Sequence, residues 1–225
     1  MHHDDSVLRT PQAVVFDFGG VLFRWQPKVL IQQVLPHLAR NDDEALQLAA
    51  QVFQSFAPGS DWAEFDRGTA EWDEVRARIV ARTGLAADDV HTLMAAIPPH
   101  LEAVRDTVAW LDALAASGTR LYFLSNMPAP YAAHLQREHA FLGHFADGVF
   151  SCDVKQIKPN ADIFHTAAAQ FGIDPSQTLF FDDNHHNISA SRALGWQAVL
   201  FEDAAQCQQA VRDAGWHLPS PALAP

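Results

Sequence analysis

Cysteine is scarce in this chain. Cys152 and Cys207 are the only two, and neither belongs to a C-x-x-C pair or a His-rich spacing, which excludes a disulfide framework and a clustered zinc site. A reducing compartment, the cytoplasm, is the expected setting, with both thiols acting as small buried apolar groups. Basic residues are also few. Fifteen Lys and Arg face 27 Asp and Glu, a formal charge of −12 that repels a polyanionic duplex or an anionic bilayer, so neither nucleic acid nor membrane is expected as a partner. No apolar run approaches the roughly 18 residues of a membrane span. The opening MHHDDSVLRT is polar and acidic where an export signal would be basic and then apolar, so neither anchoring nor export is expected. Its His2-His3 pair is too short to assign to a tag or a metal. The six tryptophans are scattered without interleaved basic residues and need only be packing.

What is present is an ordinary globular composition, 48% apolar and 19% charged over 225 residues, a length that suits one domain with a sizeable insertion. Five short runs rich in β-branched and aromatic residues predict buried strands: 13–18, 120–124, 148–152, 178–181 and 197–201. Four are almost continuously apolar, as strands covered on both faces are. Helical periodicity lies between them, most plainly over 100–117, where Leu101, Val104, Val108, Leu111 and Leu114 share a face and Gly118 follows. Further helices are predicted over 131–139, 161–171 and 188–194. The alternation from residue 120 onward predicts an α/β fold with a doubly wound, parallel, five-stranded, Rossmann-like sheet.

The interval between the first two strands breaks the rhythm, because residues 24–99 carry helical patterns and no convincing strand. Helices are predicted from Pro27 towards Leu38, over 43–56 and over 69–83, with a turn at Pro58-Gly59-Ser60 and an end at Pro98-Pro99. The reading is a small α-helical cap domain, 24–99, inserted after strand one of a core formed by 1–23 and 100–225. The Pro- and Ala-rich tail from Leu218 is expected to fray.

The chemistry-bearing residues sit at predicted strand ends, where parallel sheets place their ligands. Asp17 follows the first strand in VVFDFGGVLF, and the two glycines after it allow a sharp turn and a close approach to a bound group. Ser125-Asn126 follows the second, Lys158-Pro159 lies beyond the third, and Asp182-Asp183 closes the fourth. Each has a bland alternative: a loop-capping Asp, ordinary Ser-Asn turn chemistry, a solvated Lys-Pro loop, and an N-cap pair for the following helix. Adjacent buried acids nevertheless call for a cation, and a hard, oxygen-preferring ion such as Mg²⁺ is the natural one.

In this order the four motifs resemble the haloacid dehalogenase-like hydrolase superfamily, over about 13–202. The position of the helical insert resembles the subgroup with an α-helical cap. FDFGGVL, LSNM and FFDDNHHNI most resemble the bacterial α-D-glucose-1-phosphate phosphatases and the phosphatase domains of epoxide hydrolases. The resemblance implies a Mg²⁺-dependent phosphatase acting on a small phosphorylated metabolite, such as a sugar phosphate, as a monomer or homodimer. It implies that Asp17 attacks phosphorus to form an aspartyl-phosphate. Asp17, Asp183 and the Gly19 carbonyl would hold the ion, with Asp182 supporting the metal shell or anchoring Lys158. Ser125 and the Asn126 backbone would grip the phosphoryl group, Lys158 would orient it, and Asn187 would act behind them.

One position departs from the pattern. Most phosphatases of the superfamily carry a second Asp two residues after the nucleophile, and here that residue is Gly19. The general acid/base lost with it is typically worth about 10²- to 10⁴-fold. Either the substrate has a good leaving group or a cap side chain supplies the proton. Arg24, Trp25 and the Asp66-Arg67-Gly68 segment are the candidate cap contacts. Two other readings stay open: 2-haloacid dehalogenation, in which Asp17 attacks carbon without a metal, and a non-catalytic phosphometabolite-binding protein. Adjacent His185 and His186 suit a helix start better than one shared ion.

Overall fold

In the computed structural model, which describes residues 9–220, five parallel strands form one sheet. They are β1 (Ala13–Phe16), β2 (Leu121–Ser125), β3 (Asp147–Phe150), β4 (Thr178–Asp182) and β5 (Gln197–Leu200), in the order β3-β2-β1-β4-β5. The chain therefore leaves β1 in one direction, returns, and winds in the other, which opens a crevice beyond the carboxyl ends of β1, β2 and β4. His2-His3 and residues 221–225 lie outside the described residues.

Side chains alternate across the three central strands, every residue of which is buried. Val14, Phe16, Leu121, Phe123, Leu179 and Phe181 face one layer, together with Trp110, Leu111 and Leu114 of the helix α6 described below. Ala13, Val15, Tyr122, Leu124 and Phe180 face the other, against Ile163, Phe164 and Ala167. A sheet apolar on both sides can satisfy its backbone only within itself, hence the near-continuous apolar runs in the sequence. Trp110 stands edge-on to Phe16, with centroids 5.7 Å apart, and its Nε1 donates to the Pro219 carbonyl at 3.0 Å. That bond, with Leu218 buried, ties down the first two residues of the segment expected to fray.

Between β1 and residue 101 run the α-helices α1 (Pro27–Val34), α2 (Asp42–Phe53), α3 (Asp61–Arg67), α4 (Trp72–Thr83) and α5 (Ala87–His100), and no named strand. The rest of the chain adds α6 (Arg105–Ala116), α7 (Ala129–Glu138), α8 (Ser151–Val154), α9 (Ala161–Phe171), α10 (His185–Ala193) and α11 (Ala204–Asp213). Two helices outside those predicted from sequence, α3 and α11, owe their starts to side-chain caps. Ser60 Oγ accepts from the Ala63 amide at 3.1 Å to open α3, and Asp203 from the Gln206 amide at 2.8 Å to open α11.

One boundary is refined and one corrected. Pro98 and Pro99 lie inside the last turn of α5, which closes at His100, one residue beyond the expected end of the insert. A proline at 98 leaves the Met94 carbonyl without its helical donor, and the Tyr131 hydroxyl takes that place at 2.9 Å. The helix predicted from residue 100 begins at Arg105 instead, because 101–104 is extended. There Arg24 N donates to Glu102 O and Val104 N to Leu22 O, both at 2.8 Å, so the outgoing and returning strands of chain cross side by side. Among the described residues no helix is long and apolar enough to cross a membrane.

Candidate active site

Asp17 directly follows β1, Ser125 is the last residue of β2 and Asp182 the last of β4, so the sheet itself brings three polar groups to one edge. Lys158 enters from the loop between α8 and α9. Its ammonium is buried, and each of its three protons has an acceptor: Asp17 Oδ1 at 2.9 Å, Asp182 Oδ2 at 2.6 Å and the Leu124 carbonyl at 2.8 Å. Burial alone would lower the Lys158 pKa, but the Asp17 and Asp182 charges outweigh it and hold it above its ordinary value. Asp182 is fully held. It also accepts from both the Asn184 amide, at 2.8 Å, and Asn187 Nδ2, at 3.0 Å to each oxygen. This makes Asp182 an anchor for Lys158, and puts Asn187 behind it.

Asp17 Oδ1 is occupied by Lys158 and by the Phe18 amide at 2.7 Å, which leaves Oδ2 for other work. Burial raises the Asp17 pKa to about 7 against the pull of Lys158, with the Asp182 and Asp183 charges adding to the rise. Asp183 lies at the solvent side, yet loss of solvent around its carboxyl, helped by Asp182, raises it to about 6. Asp17, Asp182 and Asp183 each offer an oxygen within 4.8 Å of the others. Three carboxylates against one ammonium leave two negative charges, which a divalent ion neutralises, and all-oxygen donors suit Mg²⁺. The space for Asp183 exists because residue 20 is glycine: with φ +73 it takes a left-handed turn, and a methyl group there would overlap the Asp183 carboxylate. The residues present therefore fit the ion. No histidine belongs to this cluster, and His185 and His186 stand exposed at its rim.

Ser125 Oγ is buried and has no hydrogen-bond partner among the described residues. An orphaned hydroxyl at the end of β2, beside the strand that ends at Asp17, is suited to an anionic ligand. Asn126 spends its amide differently: Nδ2 donates to the Lys158 carbonyl at 2.9 Å and Oδ1 accepts from the Lys158 amide at 2.8 Å, which fixes the Lys158 loop to the end of β2.

Two connected cavities open at this edge. A polar basin is lined by Asp17, Gly19, Lys158, Asp183 and the 184–187 turn. Beside it lies a smaller, mostly apolar chamber, and Gly19, Trp25, Phe56 and Asn126 line both. Of the candidate cap contacts, Trp25 and Asp66 face the chamber. Arg24 and Arg67 do not line either cavity. Arg24 pairs with Glu102 at 3.5 Å over a separate depression, because adjacent residues of extended chain point opposite ways. Arg67, one helical step from Asp66, turns back to Glu64 at 3.8 Å. Asp66 itself is buried, and its carboxyl is pushed to about 8, first by burial and then by the Asp17 charge. Sequence reading did not find Phe56, Trp62, Ile97, Leu101, Met127 and Tyr131 as a lining. Ser151 helps hold that wall together: its hydroxyl donates to the Asp66 carbonyl and accepts from the Met127 amide at 2.9 Å.

Comparison with known proteins agrees with this geometry. The family model described as haloacid dehalogenase-like hydrolase matches residues 11–195. The chain is 26% identical over 202 residues to the sesquiterpene phosphatase astK of Aspergillus oryzae, covering 89% of this chain and 95% of that one. It is 35% identical over 101 residues to the phosphoglycolate phosphatase of Escherichia coli, a match that spans 45% of this chain and only 38% of that protein. Among solved structures, the enzyme BT-2542 of Bacteroides thetaiotaomicron superposes with a TM-score of 0.68 at 20% identity, over 90% of this chain and 98% of that one. The same enzyme has been solved with magnesium and inorganic phosphate, at a TM-score of 0.66. At that identity the likeness is one of fold.

Proposed function

The chain belongs to the haloacid dehalogenase-like hydrolases, and from that premise we propose that it is a Mg²⁺-dependent phosphatase hydrolysing a small phosphorylated metabolite in the cytoplasm through an aspartyl-phosphate. One observation carries this reading: Asp17 and Asp183 share a pocket with a buried Lys158 that Asp182 holds in place. A carboxylate that attacks an anionic phosphate needs positive charge close by, and carbon-attacking dehalogenation gives no use to so many acids around one ammonium.

Asp17 Oδ2 attacks phosphorus, the bond from phosphorus to the alcohol oxygen breaks, and the alcohol leaves with a proton. Water then attacks phosphorus, the bond to Asp17 breaks, and inorganic phosphate departs. Lys158 holds Asp17 Oδ1 and so aims the free oxygen, while Ser125 Oγ and the backbone beside Asn126 grip the phosphoryl oxygens. The ion, held by Asp17, Asp183 and the Gly19 carbonyl, supplies charge neutralisation for nucleophile and phosphoryl group. Asp66 takes the acid role that Gly19 has no side chain to fill: it is the one carboxyl lining the leaving-group side, and burial keeps its proton on at neutral pH.

The test is a panel of phosphate monoesters run with Mg²⁺, with EDTA, and with Asp17→Asn. Turnover that needs the ion, loss of at least about 10³-fold in the variant, and trapping of phosphate or BeF₃⁻ on Asp17 are expected. Undiminished turnover by Asp17→Asn, or EDTA-resistant halide release from 2-haloacids, would overturn the reading.

A further inference from the structure

The chamber beside the acidic basin has a chemistry of its own. Its walls are mostly apolar, Trp25, Phe56, Trp62, Ile97, Leu101 and Tyr131, and Gly19, Asp66, Asn126 and Met127 complete them. No lysine, arginine or histidine lines it, so nothing there balances a second anionic group on a substrate. Two of its polar side chains are already engaged, the Tyr131 hydroxyl on the Met94 carbonyl and the Asn126 amide on the Lys158 backbone. A polyhydroxylated ligand would bury hydroxyls with few partners, at a cost for each, whereas a hydrocarbon would gain from every methylene it withdrew from water.

The mouth is built for the same purpose. Phe56 is 41% exposed, one of the few large apolar side chains left open to solvent. It stacks on Phe53 at 5.5 Å and meets Trp25 edge-on at 6.3 Å. The chain presents it through three successive residues, Gln54, Ser55 and Phe56, with φ of 48°, 51° and 55°. Such left-handed backbone is costly for residues other than glycine and persists where the surrounding structure compensates for it. Here it sets an apolar ring at the junction of chamber and basin, the path between a bound phosphoryl group and whatever it esterifies.

Building on the phosphatase reading above, we propose that the chamber receives the hydrocarbon part of the leaving alcohol, so that the substrates are phosphate monoesters of apolar alcohols rather than of sugars or hydroxy acids. The sugar phosphate expected from sequence resemblance is replaced by this class. Because the two cavities share Gly19, Trp25, Phe56 and Asn126, the ester oxygen would sit at their junction, with Asp66 on the chamber side.

The experiment is kcat/KM with Mg²⁺ across the alkyl phosphates from ethyl to octyl, beside glucose 1-phosphate and phosphoglycolate. A rise of about fourfold per methylene, levelling once the chamber is full, is expected, with both polar esters below butyl phosphate. Phe56→Ala, at a partly exposed position whose loss the core survives, should depress octyl phosphate about tenfold more than ethyl phosphate. A flat alkyl series, or preference for either polar ester, overturns the chamber assignment and leaves the phosphatase reading intact. Should no ester be hydrolysed, the phosphatase reading fails and binding decides the chamber. Quenching of tryptophan fluorescence by octanol but not by glucose upholds the chamber, and no response to octanol overturns it.

Discussion

Asp66 carries two opposed consequences of one burial. Folding moves this carboxyl out of water, so the folded chain keeps its proton up to about pH 8 while the unfolded chain loses it near 3.8. Between those values the folded state binds more protons, and stability falls as the pH rises, until the loss is complete above about 8. Asp66→Asn removes the titration and keeps the shape. Its melting temperature should therefore exceed that of the wild type at pH 8, by a margin that shrinks towards pH 5; a margin equal at both values would refute the buried-acid reading. Activity should move the other way. An amide cannot give a proton to a leaving alkoxide, so the variant should lose about 10²-fold or more on alkyl esters, and far less on p-nitrophenyl phosphate, whose leaving group needs no acid. The wild type should lose alkyl-ester activity as the pH rises through about 8, and the variant should lack that limb.

At the scale of elements, the loop after β1 and the last turn of α5 show what local sequence can and cannot announce. The strands and the residues at their ends are readable because an apolar run and the polar group that stops it are neighbours in the chain; Asp17, Ser125 and Asp182 all stand where such a run ends. The glycines of that loop are readable as a turn, but the reason for Gly20 is Asp183, far along the chain, whose carboxylate fills the space of a side chain. Gly20→Ala should displace Asp183 and weaken Mg²⁺ binding, seen as at least about a tenfold rise in the Mg²⁺ concentration for half activity; an unchanged requirement would contradict the cradle. The prolines of α5 mark its last turn, but what lets them stay helical lies elsewhere in the chain. A proline ends a helix when the carbonyl it frees finds no donor, and whether it finds one is decided by Tyr131 on another helix. Removing that donor in Tyr131→Phe should leave the Met94 carbonyl buried and unpaired, at a cost of about 1–3 kcal/mol in denaturant unfolding. A variant as stable as the wild type would show that water or a rearranged turn satisfies it.

At the scale of the molecule, the acidic and apolar halves of the site differ in how they are encoded. The acidic half is assembled by the sheet, whose parallel order sets the ends of β1, β2 and β4 side by side, so four separated motifs could be read as one site. The chamber draws on 25, 56, 62–66, 97–101 and 126–131, segments with no shared periodicity that only packing of the helical insert on the core brings together. Aromatic residues in such segments look like core, and Arg24 and Arg67, the more conspicuous candidates, point elsewhere. The acidic half also leaves a charge imbalance that reaches the stability of the whole chain. With burial raising Asp17 to about 7 and Asp183 to about 6, ionising either one above its unfolded value near 3.8 costs the folded state stability that grows with pH. Mg²⁺ held as proposed would bind the charged forms and reverse that cost, so protons and the ion would compete. At a concentration of about a hundred times its dissociation constant the ion should add about 2.7 kcal/mol, roughly 5–10 °C in melting temperature for a chain of this size. The increment should be largest near pH 8 and fall away by pH 5. An ion-induced shift that is absent at pH 8, or greater at pH 5, would mean that these carboxylates do not hold the cation.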